Sequence, residues 1–362
     1  MSLGTVVTDD TVAGPPAKRS SSAWSARLVT YARPGAAVLI VAAIGYAVVS
    51  QWGEVRAALT TLAWPSVVLS LVAALAGTLT SLLAWRALLA DEGHRLSPVV
   101  AGRIFLVGQL GKYLPGSVWS IVLQMELGRR AGVPRARAFT ASLAFVALSL
   151  STGLCVGVVG APVLGDAHSD EVWLLLAALP IALVASAPPV LTRLLNVILG
   201  LARKSPLPRP LSWTGVLSAA AWLTATWVLF GLHLWLLADA LGAPGWAGVT
   251  RCIGGFALAM AAGVLFVFVP SGAGVREALI VAALAPVMPA GAALGVAVVS
   301  RGVFIVADVL SAGVAALSAR RQVRADAAGA VADTAGAATD AGAATDAGAS
   351  AAAVTSAAAG PN

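Results

Sequence analysis

The sequence predicts an all-α membrane protein, a polytopic helix bundle of about eight spans that includes broken or re-entrant helices. Of the 362 residues, 59% are hydrophobic and only 11% are charged, and the mean hydropathy is +0.89. A soluble domain carries roughly 25% charged residues, so this chain has too few to cover a surface that faces water. Apolar runs of about 20 residues, the length that crosses the hydrocarbon layer, recur along the chain.

Three domains are predicted in chain order. Residues 1–33 mix Ser, Pro, Gly and basic residues and form a disordered cytoplasmic leader, and 34–320 form the membrane domain. Residues 321–362 are rich in Ala, Gly, Thr and Asp, cannot bury a core and form a disordered tail. Within the membrane domain, spans are predicted at 34–51, 64–90, 138–160, 172–195, 211–238, 248–269 and 291–318, with a shorter apolar piece at 277–289.

The net charge of +7 is explained by topology and not by nucleic-acid binding. Most arginines flank apolar segments, where the positive-inside rule places them, and do not line one soluble face. Basic clusters follow the second, fourth and last spans, whereas the loop that holds Asp166, Asp170 and Glu171 contains no Lys or Arg. This asymmetry predicts a multi-pass plasma-membrane protein with both termini in the cytoplasm.

One apolar segment, residues 104–125, is interrupted by the sequence GQLGKYLPGSVW at Gly108–Trp119. If it crossed the membrane, the basic cluster at 129–137 would lie outside and every later loop would be inverted. A segment that turns at Pro115-Gly116 and returns keeps all the basic clusters on one side. Such a turn frees backbone polar groups at membrane depth, where transporters use them to hold polar groups of a substrate. We call this turn the first break.

A second break, VPSGAGVRE, covers Val269–Glu277. The apolar piece that follows has only about 13 residues, which is too short for a standard span. A helix N-terminus near Gly274, with Arg276 beside it, suits an anionic headgroup, and the alternative is a simple capped corner between two helices. Corresponding breaks in two halves of a chain indicate a transporter binding site and are compatible with an inverted repeat.

Charged residues at bilayer depth cost at least ~2.5–3.5 kcal/mol each, so they need a reason. Arg301 and Asp308 lie seven residues apart on nearly the same face of the last span. With the charges of the second break they form either a cluster that binds an anionic headgroup or relays a proton, or an ion-pair network that only holds helices together. His233 and Asp239 are assigned to the outer interface.

The two breaks resemble the two signatures of a known family. Gly108–Trp119 with Gly128–Val133, and then Pro270–Glu277, are similar to those of the flippase-like membrane domain of lysylphosphatidylglycerol synthases. The resemblance covers roughly residues 35–320 and implies a membrane protein that moves or presents a charged lipid. Ser271 and Ala273 replace residues more usual in the second signature. After residue 320 only the Ala-rich tail remains, so no soluble aminoacyl-transferase domain is expected.

The expected function is binding and translocation of an anionic, aminoacylated or polyprenyl-phosphate-type lipid. Alternatives are an accessory subunit of a lipid- or glycan-modifying enzyme and a membrane-embedded transferase that uses a lipid-linked donor. We expect no enzyme activity, catalytic residue, metal or cofactor, because the loops hold no metal motif and no nucleophile beside a base. Expected partners are a membrane lipid and an envelope-modifying enzyme. The predicted lipid-binding residues are Arg103, Gln109, Lys112, Tyr113, Pro115, Gly116, Trp119, Arg129, Pro270, Ser271, Gly272, Gly274, Arg276, Glu277, Arg301 and Asp308.

The re-entrant assignment is tested by labelling single cysteines in intact cells, in a background without Cys155 and Cys252. Cysteines placed at 129–137 should react with an impermeant maleimide only after the cytoplasmic side is opened. A cysteine at position 116 should react poorly or from that same side. Labelling of 129–137 from outside would contradict the re-entrant topology.

Overall fold

The computed structural model describes residues 60, 63–114, 118–160, 170–201, 203–242, 245–265 and 274–321. The predicted leader, the first predicted span at 34–51 and almost all of the C-terminal tail lie outside the described residues. The same holds for two stretches at the breaks, 115–117 and 266–273.

All regular structure in this part of the chain is helical, which confirms the predicted all-α class. Five helices, α1, α4, α7, α8 and α10 below, are long and apolar enough to cross a membrane. A single 3₁₀ turn, Leu110–Tyr113, follows α2. The helices are α1 (Trp64–Asp91), α2 (Pro98–Gln109), α3 (Trp119–Arg130), α4 (Arg135–Gly160), α5 (Asp170–Ser186), α6 (Pro188–Leu201), α7 (Trp213–Asp239), α8 (Gly245–Leu265), α9 (Val275–Leu284) and α10 (Ala290–Arg321).

Helices α1 and α7 lie antiparallel at the centre of the bundle. The hydroxyl of Ser70, early in α1, donates to the carbonyl oxygen of His233, late in α7, at 2.9 Å. At the other end, the Asp91 carboxylate accepts from the backbone N–H of Ser212, the residue that caps α7, at 2.8 Å. We call the end at which α1 finishes and α7 begins the basic end, since the adjoining loops carry Arg95 and Arg209.

Two apolar clusters fill the bundle, one towards each end. The cluster at the basic end joins α1, α2, α4, α6 and α7 and includes Trp85, Phe105, Leu148, Leu195 and Leu223. The cluster at the opposite end joins α7, α8, α9 and α10 and includes Leu237, Phe256, Ile280, Leu284 and Phe304.

Helices α2 and α3 form a hairpin that enters from the basic end and returns to it, as predicted for 104–125. Each has 12 residues and is about 18 Å long, which is shorter than the ~30 Å hydrocarbon layer. Near the tip, Gly111 of the 3₁₀ turn lies against Ser120, so the two arms are antiparallel. Near the base, Gly102 lies beside Ala315 in the last turns of α10.

Helix α9 approaches from the opposite end. It has ten residues, about 15 Å, and its Ala283 lies against Gly255 of α8. Its last residue, Leu284, belongs to the same apolar cluster as Leu237 near the end of α7. The apolar piece predicted at 277–289 is therefore a shorter helix followed by a turn. We call α2 and α3 the first hairpin, and α8 and α9, which the second break connects, the second hairpin. The two hairpins enter the bundle from opposite ends.

The segment predicted as a span at 172–195 is not one continuous helix. The chain forms two helices there, and the segments Ala177–Ser186 and Pro188–Leu201 meet at a bend of 76°. Pro188 and Pro189 lack backbone donors and disfavour helical geometry in the residue before them, so α5 ends at Ser186. Helix α6 instead packs one apolar stripe into the cluster at the basic end, and the stripe consists of Leu191, Leu195 and Leu199.

The hairpin tip generates a stability prediction. A Cβ on Gly111 would lie 2.5 Å from the backbone nitrogen of Ser120, and backbone cannot move aside as a side chain can. Gly111→Ala should therefore lower the thermal unfolding midpoint of the detergent-purified protein or prevent its folding. The matched control is Gly102→Ala, whose Cβ would meet only ordinary contacts at 3.7 Å or more. Equal midpoints for the two variants would contradict the packed hairpin.

Candidate functional site

A cavity of about 430 Å³ lies at the meeting point of the two hairpins. Most of its wall is apolar and comes from α1, α4, α7 and α8, with Phe145, Leu150, Trp227 and Met260 among the lining side chains. Its charged and amide groups come from the hairpins and α10, and they are Gln109, Lys112, Arg276 and Asp308. The sequence predicted all four of these as lipid-binding residues, and the fold brings them to one cavity.

Asp308 anchors the tip of the first hairpin. Its carboxylate is 3% exposed and lies 2.7 Å from the Lys112 ammonium. The phenol of the next residue, Tyr113, donates to the same carboxylate oxygen at 2.5 Å. Two neighbouring residues of the 3₁₀ turn thus hold one acid in the middle of α10, which fixes the hairpin tip at that depth.

Arg276, at the start of α9, occupies the other side of the cavity. Its guanidinium lies 4.9 Å from the ring centre of Phe256 and 4.7 Å from that of Phe304, in cation–π contact with both. Its Nη2 donates to the Ser300 hydroxyl at 3.2 Å. In the described part of the chain no carboxylate lies within 4.0 Å of Arg276, and its buried Nε–H has no partner. Arg276 is therefore a buried cation without a direct ion-pair partner among these residues.

Glu277 and Arg301 form a separate, neutral pair beside the cavity. The Arg301 guanidinium donates to Glu277 at 2.7 Å, and both residues are less than a tenth exposed. The second Glu277 oxygen accepts from the backbone N–H of Gly274 at 2.6 Å and so caps α9. Gly274 has φ +85°, a left-handed conformation that favours glycine. Arg301 and Asp308, predicted on one face, thus take different partners, one from each hairpin.

The assignment of His233 to the outer interface is wrong. Its side chain is fully buried, its Nδ1 contacts the Phe230 carbonyl oxygen, and its Nε2 lies 2.9 Å from the Ser300 hydroxyl. The same hydroxyl accepts from Arg276. A sequence signal was present, because Phe230, Leu234 and Leu237 mark a buried stripe that His233 joins at helical spacing. Asp239, at the end of α7, is exposed as expected.

Seven of the predicted binding residues that the structure describes are not part of the cavity wall: Tyr113, Gly274, Glu277 and Arg301, whose contacts are given above, and Arg103, Trp119 and Arg129. Arg103 is exposed on α2, and Trp119 is 43% exposed at the start of α3. Arg129 binds Glu126 through two hydrogen bonds of 2.9 and 3.1 Å. Hydrogen bonds from Arg129 and Arg135 hold the pKa of the Glu126 carboxyl well below its usual range. Five further predicted residues lie outside the described part: Pro115, Gly116, Pro270, Ser271 and Gly272.

The comparison with known families agrees with the architecture. The family model described as the lysylphosphatidylglycerol synthase TM region matches residues 35–312, a range that contains both hairpins and every residue of the cavity. No curated protein matches the chain. The match covers well over half of the sequence, and the chain belongs to the family of lysylphosphatidylglycerol synthase transmembrane regions as a multi-pass membrane protein.

Proposed function

We propose that this protein binds the anionic headgroup of a membrane lipid in the cavity and moves the lipid between leaflets. The observation that carries the proposal is the position of Arg276, which lines an apolar cavity without a carboxylate partner in the described residues. A buried charge at membrane depth is costly unless a group of opposite sign neutralises it. A phosphate would supply both the charge and the acceptor oxygens that the guanidinium lacks.

The position of Lys112 supports a shared headgroup site. It lines the same cavity from the first hairpin, and its side chain is 28% exposed despite its ion pair with Asp308. Its ammonium has three donors, so Asp308 does not exhaust its capacity to bind an anion. Cations from two hairpins thus face one space that is large enough for a headgroup.

The wall and the rim of the cavity suit a lipid better than a soluble anion. Apolar side chains dominate the wall, and two of them, Val118 and Val264, are 56% and 38% exposed on the outer surface of the described structure. These residues flank the hairpin tip and the end of α8. Acyl chains can therefore leave between them while the headgroup stays inside.

The arrangement of the hairpins supports movement between leaflets. The first enters from the basic end and the second from the opposite end, and both stop beside the middle of α10. In transporters with broken helices, rocking of one hairpin against the other exposes a fixed site to each side in turn. In the same proposal the basic end and both termini face the cytoplasm of a plasma membrane, and the lipid leaves chemically unchanged.

The accessory-subunit alternative is less well supported. A protein that only stabilises a partner enzyme needs no internal cavity, whereas this bundle places a charged one between its two breaks. A transferase would also bind a lipid here but would alter its mass. Mass spectrometry of lipid recovered after incubation with the protein therefore distinguishes transfer, which alters the mass of the lipid, from translocation, which does not.

The shared site predicts coupling between Lys112 and Arg276. Lys112→Gln and Arg276→Gln should each weaken binding of phosphatidylglycerol to the detergent-solubilised protein about tenfold, since each removes one charged donor. The double variant should depart from additivity by at least about 0.5 kcal/mol, as residues on one ligand do. Native mass spectrometry gives the affinities, and Arg193→Gln, which removes an exposed charge on α6, is the control. Strictly additive losses would contradict a single headgroup site.

The Glu277–Arg301 pair predicts a different outcome. Arg301→Leu leaves Glu277 charged, buried and unpaired, which should cost about 3–5 kcal/mol and lower the unfolding midpoint. Combining it with Glu277→Gln removes the orphaned charge and keeps an oxygen to cap α9. The double variant should regain most of the stability and bind phosphatidylglycerol as the unchanged protein does. A stable double variant that no longer binds phosphatidylglycerol would contradict a purely structural role for the pair.

A further inference from the structure

We infer that the site selects a lipid whose headgroup carries one net negative charge. The inference rests on the proposed function and adds the charge class of the headgroup to it. It follows from the number of charges that face the cavity and from the high cost of an unbalanced charge at membrane depth.

The described residues that line the cavity carry one net positive charge. Among the described residues that line it, three ionise: Lys112 and Arg276 are cations and Asp308 is an anion. Arg301 and Glu277, 2.7 Å apart, cancel each other. The two undescribed stretches at the breaks, 115–117 and 266–273, contain no Asp, Glu, Lys, Arg or His and add nothing to the count.

Two titratable groups beside the cavity, Tyr113 and His233, are uncharged and do not alter this net charge. Tyr113 donates its phenolic proton to Asp308 and so remains uncharged. The Nδ1 of His233 contacts the Phe230 carbonyl oxygen and therefore carries a ring proton, and because burial disfavours a second proton on the ring, Nε2 accepts the proton of the Ser300 hydroxyl. A ring nitrogen that accepts this proton belongs to a neutral imidazole.

One phosphodiester brings the total to zero. A zwitterionic headgroup such as phosphoethanolamine leaves the charge at +1, and a doubly ionised phosphomonoester changes it to −1. Lysylphosphatidylglycerol has one phosphate and two ammonium groups, so it raises the total to +2. The cavity is therefore balanced by phosphatidylglycerol-type lipids and not by the lysylated lipid that gives the family its name.

The test compares four probe lipids with identical acyl chains on the full-length protein in detergent. They are phosphatidylglycerol, phosphatidylethanolamine, phosphatidic acid at a pH where it carries two charges, and lysylphosphatidylglycerol. Native mass spectrometry should show that phosphatidylglycerol binds roughly tenfold more tightly than each of the others. Equal affinities, or a preference for the lysylated lipid, would overturn the inference.

Variants that change the net charge of the cavity should shift the preference among the probe lipids in opposite directions. Asp308→Asn raises the cavity charge to +2 and should improve binding of phosphatidic acid relative to phosphatidylglycerol about tenfold. Lys112→Gln lowers it to zero and should improve the relative binding of phosphatidylethanolamine. Arg193→Gln should leave the order unchanged. Lys112 is partly exposed, so its variant provides the test if Asp308→Asn does not fold.

Two negative results have different meanings. If Arg276→Gln weakens binding of phosphatidylglycerol about tenfold but neither Asp308→Asn nor Lys112→Gln shifts the preference, the charge rule is wrong while the proposed lipid site stands. If Arg276→Gln leaves all four affinities unchanged, lipid does not bind in this cavity and the proposed function fails with the inference.

Discussion

Charges on α10 have to be neutralised inside the bilayer, and the way this is achieved determines the rest of the architecture. Arg301 and Asp308 stand about 10.5 Å apart along the helix, and each takes its partner from a different hairpin. Lys112 and Tyr113 bring the first hairpin tip to Asp308, and Glu277 brings the start of α9 to Arg301. The two pairings hold both broken segments beside one helix, and the cavity is the space left between them.

Within this framework, Arg276 is the group whose charge the described residues leave unbalanced. Phe256 and Phe304 supply ring faces, and Ser300 supplies one acceptor that His233 holds in place. These contacts orient the guanidinium without neutralising it. A fixed cation in an apolar wall needs little reorganisation to receive an anion, because the surrounding helices have already removed it from water.

The sequence predicted the helical class, the long apolar helices from residue 64 onwards, the hairpin at 104–125 and the residues of both breaks that face the cavity, but it did not predict the bend within 172–195. These features depend on local hydropathy, on proline and glycine, and on the cost of intramembrane charge. The sequence could not predict which charged residues form ion pairs. Arg301 binds Glu277 and Asp308 binds Lys112 because of how the hairpins pack on α10. His233 was assigned to the interface because it lies near the end of a predicted span. Its position on a buried stripe of α7 instead places it in the core.

In the proposed function, one lipid phosphate lies between the two hairpins. The most direct measurement is an electron cryomicroscopy structure of the full-length protein in nanodiscs of phosphatidylglycerol. We expect headgroup density in the cavity with phosphate oxygens within hydrogen-bonding distance of both Lys112 and Arg276, and acyl density leaving past Val118 and Val264. Lipid density confined to the outer helix surfaces, with the Arg276 guanidinium neutralised by a protein carboxylate, would contradict the claim.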